Sequence, residues 1–536
     1  RMEELLRGES SLYCPLDGLW KFFCARNENQ IIPGFEGSDY DCHPWADIPV
    51  PAHIQLEGYG APQYVNVQYP WDGVEDVPLG DVPQEHNPVA CYVRYFFLPE
   101  AMRGQRVLVR FEGAESCVAV WLNGHYVGFA ADSFSPAEFE LTPYLAEGEN
   151  KLACRVYRWN IGSWLEDQDF FRFSGLFRSV SLVCIPKAHV WDIRIQTLLD
   201  DAYTDATLVL DTSLLLGQGA EGATLHAALM DGKTVLATAQ GGGETQHFEL
   251  SVHQPQLWSS ESPRLYDLLM TVCEEDGSVV EVVRERVGFR RFEMKNGVMC
   301  LNGQRIVLKG VNRHDFCAET GRAVRRDTIR RDLLTMKRNN INAVRTSHYP
   351  QPPLFYQLCD ELGIYVLDEA DLECHGVVST GGGTDHEKYN RMADDPAFGP
   401  MMLDRVQRLV RRPGADIQLR RETVVLRRVH RAAHQLVHMG GLNDVVAQGV
   451  DGARALVVRQ KNDHIWLFFH DDVFLQSMFR TAIHVQYTPS RPWLQGARGD
   501  CPAYFTMREK YARSAQKCAA YDRICAKHCH TVRFFI

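Results

Sequence analysis

The chain has 536 residues, of which 45% are hydrophobic and 10% aromatic, and its formal net charge is −11 at pH 7. This composition is typical of packed cores and excludes a largely disordered chain, while the length suits roughly three or four domains of about 150 residues. No run of about 18 uncharged apolar residues occurs, so we expect no membrane span.

Cysteine usage and the first residues predict a cytoplasmic location. The 16 cysteines are scattered without paired spacing, which favours reduced thiols over a disulfide framework. The opening Arg1-Met2-Glu3-Glu4 has no basic segment followed by an apolar core. We therefore expect no secretory signal.

Residues 1–186 carry the pattern of an all-β domain. Residues 118–129 are predicted to form two strands joined by Asn123-Gly124, because Asn and Gly tolerate the positive φ of a two-residue hairpin turn. Further strand-like runs lie at residues 92–98, 106–111 and 151–157. Many short strands with such turns favour a β-sandwich of jelly-roll type.

Residues 187–292 are predicted to form a second, smaller sandwich. Asp231-Gly232 and Asp276-Gly277 supply turn signals between apolar runs. These runs lie at residues 206–210, 224–229, 233–238 and 268–273. About 100 residues with this density of strands suit an immunoglobulin-like domain.

From residue 293 to 412 the pattern changes to alternating strands and helices. Asp327 is predicted to cap the first helix through its side chain. Pro352 and Pro353 are predicted to open a second helix, and Gly363 to end it. Strand, helix, strand, helix, strand is the beginning of a parallel α/β unit, and three strands are evident before residue 380.

Three polar motifs each follow a short apolar run in this region. Gly310-Val311-Asn312-Arg313-His314 follows residues 306–308, while the motifs at 345–350 and 368–376 follow residues 343–344 and 364–367. If these apolar runs are buried strands, the motifs meet where parallel strands end. In a βα-repeat barrel that edge is where active sites are built.

The candidate functional residues at this edge are His314, His348, Glu373 and His375. A structural role against a backbone carbonyl is the simpler interpretation of any one histidine, but their joint placement favours a functional site. Glu373 and His375 are two residues apart in an extended segment, so both can face one divalent ion. Asp368 and Glu369 are alternative carboxylates, one of which we expect to hydrogen-bond within the barrel.

Another candidate, Asp169, lies in an aromatic segment of the first domain, residues 164–178. Salt bridges from Arg172 or Arg178 to this carboxylate would make it a structural residue. Aromatic rings beside carboxylates also suit a sugar site, because the C–H faces of sugars stack on rings while their hydroxyls bind carboxylates. Both interpretations stay open.

Residues 413–536 differ in composition from the rest of the chain. They hold 4 Lys and 14 Arg against 8 Asp and 2 Glu, and these glutamates are Glu422 and Glu509. The basic residues alternate with apolar ones and follow no nucleic-acid-binding motif, so we expect no nucleic-acid partner. An abrupt loss of Glu with a gain of Arg is typical of an out-of-frame translation of GC-rich DNA. We hypothesise a frameshift near residue 412; the alternative is a divergent helical extension.

Residues from about 13 to 412 resemble the β-galactosidases of glycoside hydrolase family 2. The resemblance rests on Tyr64-Val65-Asn66-Val67-Gln68-Tyr69-Pro70, on Glu85-His86-Asn87-Pro88, on residues 164–178 and on the three edge motifs. Related β-glucuronidases share versions of the first two edge motifs.

The fold that the resemblance implies is multidomain β plus α/β. A jelly-roll, sugar-binding-like domain at residues 1–186 precedes an immunoglobulin-like β-sandwich at 187–292. Residues 293–412 are then the start of a (β/α)8 TIM barrel, which is incomplete in this sequence. Residues 413–536 form an unmatched basic tail.

The same resemblance implies roles for individual residues. Asn66 and Asp169 would hold galactosyl hydroxyls, with Asp169 also contacting sodium, while His314 and His348 would hydrogen-bond the sugar. Glu373 and His375 would ligate magnesium. The implied reaction is retaining hydrolysis of terminal β-galactosides such as lactose, by two glutamates about 5–5.5 Å apart. The family tends to form homo-oligomers.

The sequence departs from the family where the catalytic acid is expected. The family carries its acid/base in a Trp-Ser-x-Gly-Asn-Glu type of segment, whereas this chain has residues 412–422, with Glu422 near the expected place. No segment matches the nucleophile, which stays unknown. The alternative to an active β-galactosidase is therefore a catalytically inactive remnant, or a carbohydrate-binding protein, of the same family.

Overall fold

The computed structural model describes residues 10–379, 392 and 395–411, and four further strands between 457 and 535. The chain divides into two compact units, residues 1–426 and 427–536. None of the described helices is both long and apolar enough to cross a membrane.

The first domain is built from antiparallel strands. Its strands are β1 (Tyr13–Pro15), β2 (Gly18–Ala25), β3 (Ala46–Val50), β4 (Gln63–Val65), β5 (Val89–Phe97), β6 (Arg106–Phe111), β7 (Cys117–Leu122), β8 (His125–Ala131), β9 (Ala137–Glu140), β10 (Glu149–Tyr157), β11 (Glu166–Asp167), β12 (Phe170–Arg172) and β13 (Val180–Ile185). Short 3-10 helices lie at Glu28–Gln30, Glu100–Met102, Thr142–Tyr144 and Ile161–Leu165.

Two sheets of this domain pack into the predicted jelly-roll sandwich. One has the order β1-β13-β6-β9 and the other the order β3-β2-β5-β10-β7-β8. Apolar side chains from both sheets, among them Val109 of β6 and Val120 of β7, fill the core between them. The predicted hairpin is also confirmed, because Asn123 and Gly124 join β7 to β8 with φ of 51° and 85°.

The second domain is a smaller antiparallel sandwich, as predicted. Its strands are β14 (Ala188–Leu199), β15 (Ala206–Leu216), β16 (Thr224–Asp231), β17 (Thr234–Gly242), β18 (Thr245–Val252), β19 (Tyr266–Cys273) and β20 (Val279–Val287). They form sheets in the orders β14-β15-β18 and β17-β16-β19-β20 around one apolar core.

The third region begins a parallel barrel. Its elements are β21 (Phe292–Lys295), β22 (Val298–Leu301), β23 (Gln304–Arg305), β24 (Gly310–Asn312), α1 (Arg326–Arg338), β25 (Ala343–Arg345), α2 (Pro353–Leu362), β26 (Tyr365–Leu367), β27 (Glu373–Cys374), α3 (Gly376–Ser379) and α4 (Gly399–Arg411). Strands β24, β25 and β26 pair in parallel in that order, with α1 and α2 as the connections. The described part of the chain thus confirms the start of an incomplete barrel.

Two local predictions in this region are wrong. The first barrel strand is Gly310–Asn312 rather than residues 306–308, because Ile306 and Leu308 pack instead beside Trp258 of the second domain. Helix α1 begins at Arg326, its N-cap is Arg325 without a side-chain cap bond, and Asp327 lies inside the first turn. An acid there still favours the helix, through the partial positive charge of the helix N-terminus.

The predicted ends of α2 are confirmed. Pro353 is its first residue, where the missing N–H costs nothing, and Gly363 ends it in the left-handed conformation with φ of 71°.

The second compact unit contains β28 (Val457–Lys461), β29 (His464–Phe468), β30 (Thr481–Gln486) and β31 (His530–Phe535) in one sheet.

A short strand pair joins the first domain to the barrel. Strand β11 runs parallel to β27, with Glu166 opposite Glu373 and Asp167 opposite Cys374. We call this pair the domain seam. Because it fixes first-domain backbone against the third edge motif, it brings residues distant in sequence to one place.

Candidate functional site

Asn66 and Asp169 are placed by a second strand pair of the first domain. Strand β4 is antiparallel to β12, with Val65 opposite Phe170. Continuing this register by one residue puts Asn66 beside Asp169, and both residues are exposed. The structure therefore brings together these two predicted sugar-binding residues.

Tyr64 fixes the side chain of Asp169. Its hydroxyl donates a hydrogen bond of 2.5 Å to Asp169 Oδ1. The hydrogen bond to the carboxylate raises the pKa of Tyr64. The phenol therefore stays protonated and orients the acid toward its surroundings.

The arginines near Asp169 have other partners. Arg172 binds Asp167 at 2.7 Å, and Arg178 donates to the carbonyl oxygens of Phe134 and Pro350 at 2.7 and 3.0 Å. Neither arginine forms an ion pair with Asp169 in the described part of the chain. The salt-bridge interpretation of Asp169 is therefore wrong, and the carboxylate is open to a ligand.

An exposed aromatic surface adjoins this carboxylate. The ring centroids of Tyr64 and Phe171 are 5.6 Å apart, and those of Phe171 and Phe316 are 5.8 Å apart with nearly parallel planes. Their exposed fractions are 57% for Tyr64, 40% for Phe171 and 37% for Phe316. Large rings left open beside a carboxylate suit a ligand with both apolar faces and hydroxyls, such as a sugar.

His314 is held neutral at the end of β24. Burial, followed by the charges of His348 and Arg322, lowers the pKa of His314 to about 4, against the opposing effect of Asp169. Its Nδ1 is buried and has no hydrogen-bond partner among the described residues. A neutral imidazole with an unused nitrogen can exchange a hydrogen bond with a hydroxyl group.

His348 lies beside His314, and its ring is oriented by Glu369. The two ring centroids are 5.7 Å apart. Glu369 Oε2 lies 2.9 Å from His348 Nδ1, while Glu369 Oε1 accepts a hydrogen bond of 2.5 Å from Arg345. The second and third edge motifs thus orient the imidazole, leaving Nε2 as the atom that can meet a ligand.

Both alternative carboxylates of the third motif have structural partners. Asp368 accepts hydrogen bonds from the hydroxyls of Tyr356, at 2.6 Å, and Thr346, at 3.2 Å. Glu369 is engaged by Arg345 and His348 as described above. The expectation of a barrel hydrogen bond at one of the two carboxylates is therefore met at both.

Glu373 and His375 lie at the domain seam. Glu373 is half-buried and His375 exposed, and neither side chain has a hydrogen-bond partner among the described residues. Burial raises the pKa of Glu373, and the nearby charge of His348 opposes this rise. A partly desolvated carboxylate and an unengaged imidazole fit as two ligands of a divalent cation that takes its other ligands from elsewhere.

Asp167 stabilises the domain seam through buried hydrogen bonds. Its side chain is fully buried, binds Arg172, and accepts the backbone N–H of Gly376 at 2.5 Å. Burial raises the pKa of Asp167 to about 7, although Arg172 opposes this. Gly376 is needed here, because a Cβ would lie 2.8 Å from Asp167 Oδ2 and from the ring of Tyr69.

Arg322 forms a second link between the barrel and the first domain. It is 1% exposed, donates to both carboxylate oxygens of Glu115, and donates to the carbonyl of Phe171 at 2.7 Å. Its guanidinium lies 4.3 Å from the centroid of Phe170. Sequence reasoning missed this pair, because nothing local marks two residues that are 207 positions apart as partners.

Glu422, the predicted acid/base, lies outside the described residues, as does Glu509. The described residues therefore supply sugar-binding and metal-binding candidates. They do not supply a matched pair of catalytic glutamates.

Three sequence models of one family match consecutive parts of this chain. The sugar binding domain of glycosyl hydrolases family 2 matches residues 14–186, and a further model of that family matches 188–290. The TIM barrel domain of glycosyl hydrolases family 2 matches residues 292–414.

The chain is similar to several proteins named beta-galactosidase. It is 47% identical to one from Halalkalibacterium halodurans over 73% of this chain and 39% of that protein, and 45% identical to one from Streptococcus thermophilus over 77% and 40%. It is 37% identical to the beta-galactosidase large subunit of Leuconostoc lactis over 73% of this chain and 64% of that protein. The match thus spans about two fifths of the first two relatives.

Solved structures share the fold. A beta-glucuronidase from Bifidobacterium dentium aligns with a TM-score of 0.60 and 22% identity over 74% of this chain and 65% of that chain. A beta-glycosidase from Bacteroides vulgatus aligns with a TM-score of 0.54 and 27% identity over 67% of this chain and 44% of that chain.

Proposed function

The chain belongs to glycoside hydrolase family 2, and on that premise we propose that it is a β-galactosidase-like retaining glycosidase acting on terminal non-reducing β-D-galactose residues, as in lactose. The relatives named beta-galactosidase, at 37–47% identity, support this substrate class.

One observation carries the proposal: the sugar-binding candidates converge at the barrel edge. The pairing of β4 with β12 places Asn66 beside Asp169, and His314 stands close to His348. The charge of Asp169 acts on His314, so the two groups of residues lie near each other. The exposed ring of Phe171, two residues after Asp169, stacks on Phe316, two residues after His314.

These residues would bind the sugar through complementary hydrogen bonds. The carboxylate of Asp169 accepts from two hydroxyls, and the neutral His314 donates to or accepts from a third. His348, oriented by Glu369, presents Nε2 to the ring as positive charge develops at the anomeric carbon. A group oriented before the sugar binds lowers the barrier, because no reorganisation is needed during the reaction.

The bond-breaking steps need two further carboxylates. In the retaining mechanism one glutamate attacks the anomeric carbon, while the other protonates the departing oxygen and later activates water. We propose Glu422 as the acid/base, and the nucleophile has no assigned residue.

We also propose two cation sites. Magnesium would bind at Glu373 and His375, where the donor set fits, and sodium would bind at the exposed carboxylate of Asp169. Bound magnesium would supply positive charge that neutralises the partly buried Glu373. The same charge would lower the pKa of any carboxyl group that lies beside the ion. Neither cation is needed for the hydrogen bonds described above.

The oligomeric state and the cellular location of the protein are proposed as well. We propose a homo-oligomer in the cytoplasm. Free thiols at the described cysteines support a reducing compartment.

A second candidate function is carbohydrate binding without turnover. It is favoured because the family match ends at residue 414, before Glu422. Loss of the nucleophile and the acid/base removes covalent catalysis and proton transfer, but it leaves the described binding residues in place.

Hydrolysis of lactose and of a nitrophenyl β-galactoside distinguishes these functions. Glu422→Gln is compared with Glu509→Gln, which changes the only other glutamate beyond residue 413. If Glu422 is the acid/base, its variant loses about 10²–10⁴-fold in lactose turnover while the Glu509 variant retains it. Absence of turnover in the unmodified chain, with retained galactoside binding, refutes the enzyme and supports the binding protein.

A further inference from the structure

Three buried carboxylates lie close together at the domain seam. They belong to Asp132, which follows β8, to Glu166 on β11, and to Asp371, which precedes β27. One oxygen from each lies within 4.8 Å of those of the other two. Their exposed fractions are 7%, 6% and 1%, so bulk water does not solvate them.

Several oxygens in this cluster have no partner. Asp132 Oδ2 and Asp371 Oδ2 are buried without a hydrogen-bond donor among the described residues. The fully buried Gln168 touches the cluster, because its Nε2 donates to Asp371 Oδ1 at 2.7 Å. Its Oε1 also lacks a described partner. Buried oxygens are normally satisfied, so three unsatisfied oxygens in one place need either hydrogen-bond donors or a cation.

The charges in the cluster do not balance. Arg405 donates to Glu166 Oε1 at 2.6 Å and is the one cation hydrogen-bonded to these carboxylates in the described part of the chain. Ser133 contributes neutral hydrogen bonds to Glu166. One guanidinium cannot balance three ionised carboxylates in a buried place, so the cluster must take up either protons or a further cation.

We propose that Asp132, Glu166 and Asp371 bind one hard divalent cation of the size of Ca²⁺, with Gln168 Oε1 as a further oxygen ligand. Two oxygens bound to one Ca²⁺ at about 2.3–2.6 Å are at most about 5 Å apart, which includes the observed spacing. An all-oxygen donor set is what this class of cation prefers. This site is distinct from Glu373 and His375.

The cation would join three segments that carry the sugar-binding residues. Asp132 belongs to the first sandwich, Glu166 and Gln168 lead into Asp169, and Asp371 leads into Glu373. Binding there would fix the domain seam without contacting the sugar. The inference concerns cation binding and does not depend on hydrolytic activity.

Terbium luminescence tests the site directly. Tb³⁺ takes oxygen ligands as Ca²⁺ does, and Trp164, two residues from Glu166 and 2% exposed, is a nearby sensitiser. The full chain, stripped with EDTA, is titrated with Tb³⁺ and then with Ca²⁺. We expect a sensitised emission that one equivalent saturates and Ca²⁺ displaces.

Variants assign the signal to the cluster. Losing even an outer partner costs a metal site about 10–100-fold in affinity, so Asp132→Asn should weaken binding by about 100-fold or more. Asp76→Asn, at an exposed position, is the matched control. A Glu373→Gln, His375→Ala double variant should keep the signal.

Two results overturn the proposal. One is the absence of Ca²⁺-displaceable emission from the unmodified chain, which would favour a proton shared between Glu166 and Asp371. The other is equal affinity in Asp132→Asn and Asp76→Asn. If near-ultraviolet circular dichroism shows that Asp132→Asn does not fold, Asp371→Asn replaces it, and an affinity equal to that of Asp76→Asn again overturns the proposal.

Discussion

Replacing Arg322 by methionine removes the guanidinium that links the barrel to the first domain. The change leaves Glu115 buried without its cation. It also removes the hydrogen-bond donor to the carbonyl of Phe171, the residue beside Phe170 in β12. Methionine keeps much of the side-chain length, so the lost charge dominates the effect. We expect the segments around Asp169 and the domain seam to open more often.

The magnitude follows from the burial of the pair. Arg322 is 1% exposed and the side chain of Glu115 is 7% exposed, so solvent does not screen their attraction. Two unit charges about 4 Å apart attract by about 4 kcal/mol at an effective dielectric constant of about 20. Removing one partner of a buried pair costs about 3–5 kcal/mol, because the other charge is left uncompensated.

Hydrogen–deuterium exchange read by mass spectrometry measures the free energy of local opening in each segment, which suits a chain of several domains. A loss of about 3 kcal/mol or more in local opening free energy speeds exchange by about 100-fold or more. Peptides covering residues 166–173 and 373–376 should show this change. Peptides from β15, in the second domain, should exchange as in the unmodified chain.

A double variant isolates the pair. In Arg322→Met with Glu115→Gln the uncompensated charge is gone, so exchange should return part of the way to the unmodified rate. Arg103→Met, at the exposed pair with Glu100, should change nothing measurable. Unchanged exchange in Arg322→Met, or equal exchange in the single and double variants, would show that the Arg322–Glu115 pair does not stabilise these segments.

Three further predictions concern the edge residues. Tyr64→Phe removes the hydrogen bond to Asp169 and should weaken β-galactoside binding by about 2–10-fold in calorimetry; unchanged affinity would contradict this role. The low folded pKa of His314 means that the unfolded chain binds more protons between pH 6.5 and about 4, so stability contributed by neutral His314 falls as pH drops through that range. Its NMR titration midpoint should be near 4, and a midpoint near 6.5 would refute the assignment. Gly376→Ala should destabilise the seam by about 1–3 kcal/mol in local exchange, while Gly148→Ala, where a Cβ meets nothing within 4 Å, should not.

The sequence predicted the elements whose signals are local. The hairpin at Asn123-Gly124 and the end of α2 at Gly363 depend on residues that tolerate positive φ, and the structure confirms both. Apolar residues were a weaker guide, since Ile306 and Leu308 pack in a cluster with Trp258 and Tyr365 without belonging to a strand. Local hydrophobicity records burial, but pairing of backbones decides where a short strand lies.

The site could be predicted only in part. The edge motifs located His314 and His348, but the choice between a salt bridge and an open carboxylate at Asp169 needed the partners of Arg172 and Arg178. The cluster of Asp132, Glu166 and Asp371 had no signal at all. Its members come from three separate segments, and only their pairing through the domain seam makes them neighbours.

The hypothesis of a frameshift near residue 412 is supported by the end of the family match at residue 414. Resequencing the coding DNA tests it. An inserted or deleted base near codon 412 is the expected result, and an uninterrupted, error-free reading frame would exclude it.

We propose above all that the barrel edge binds a galactosyl group through Asp169 and its neighbours. Calorimetric titration with a non-hydrolysable β-thiogalactoside, and with the matching β-thioglucoside, tests it without requiring turnover. We expect the galactoside to bind more tightly than the glucoside, and Asp169→Asn to lower its affinity by about tenfold or more, as expected for hydrogen bonds to a charged group. Equal affinity for the two sugars, or galactoside binding that Asp169→Asn leaves unchanged, would contradict it.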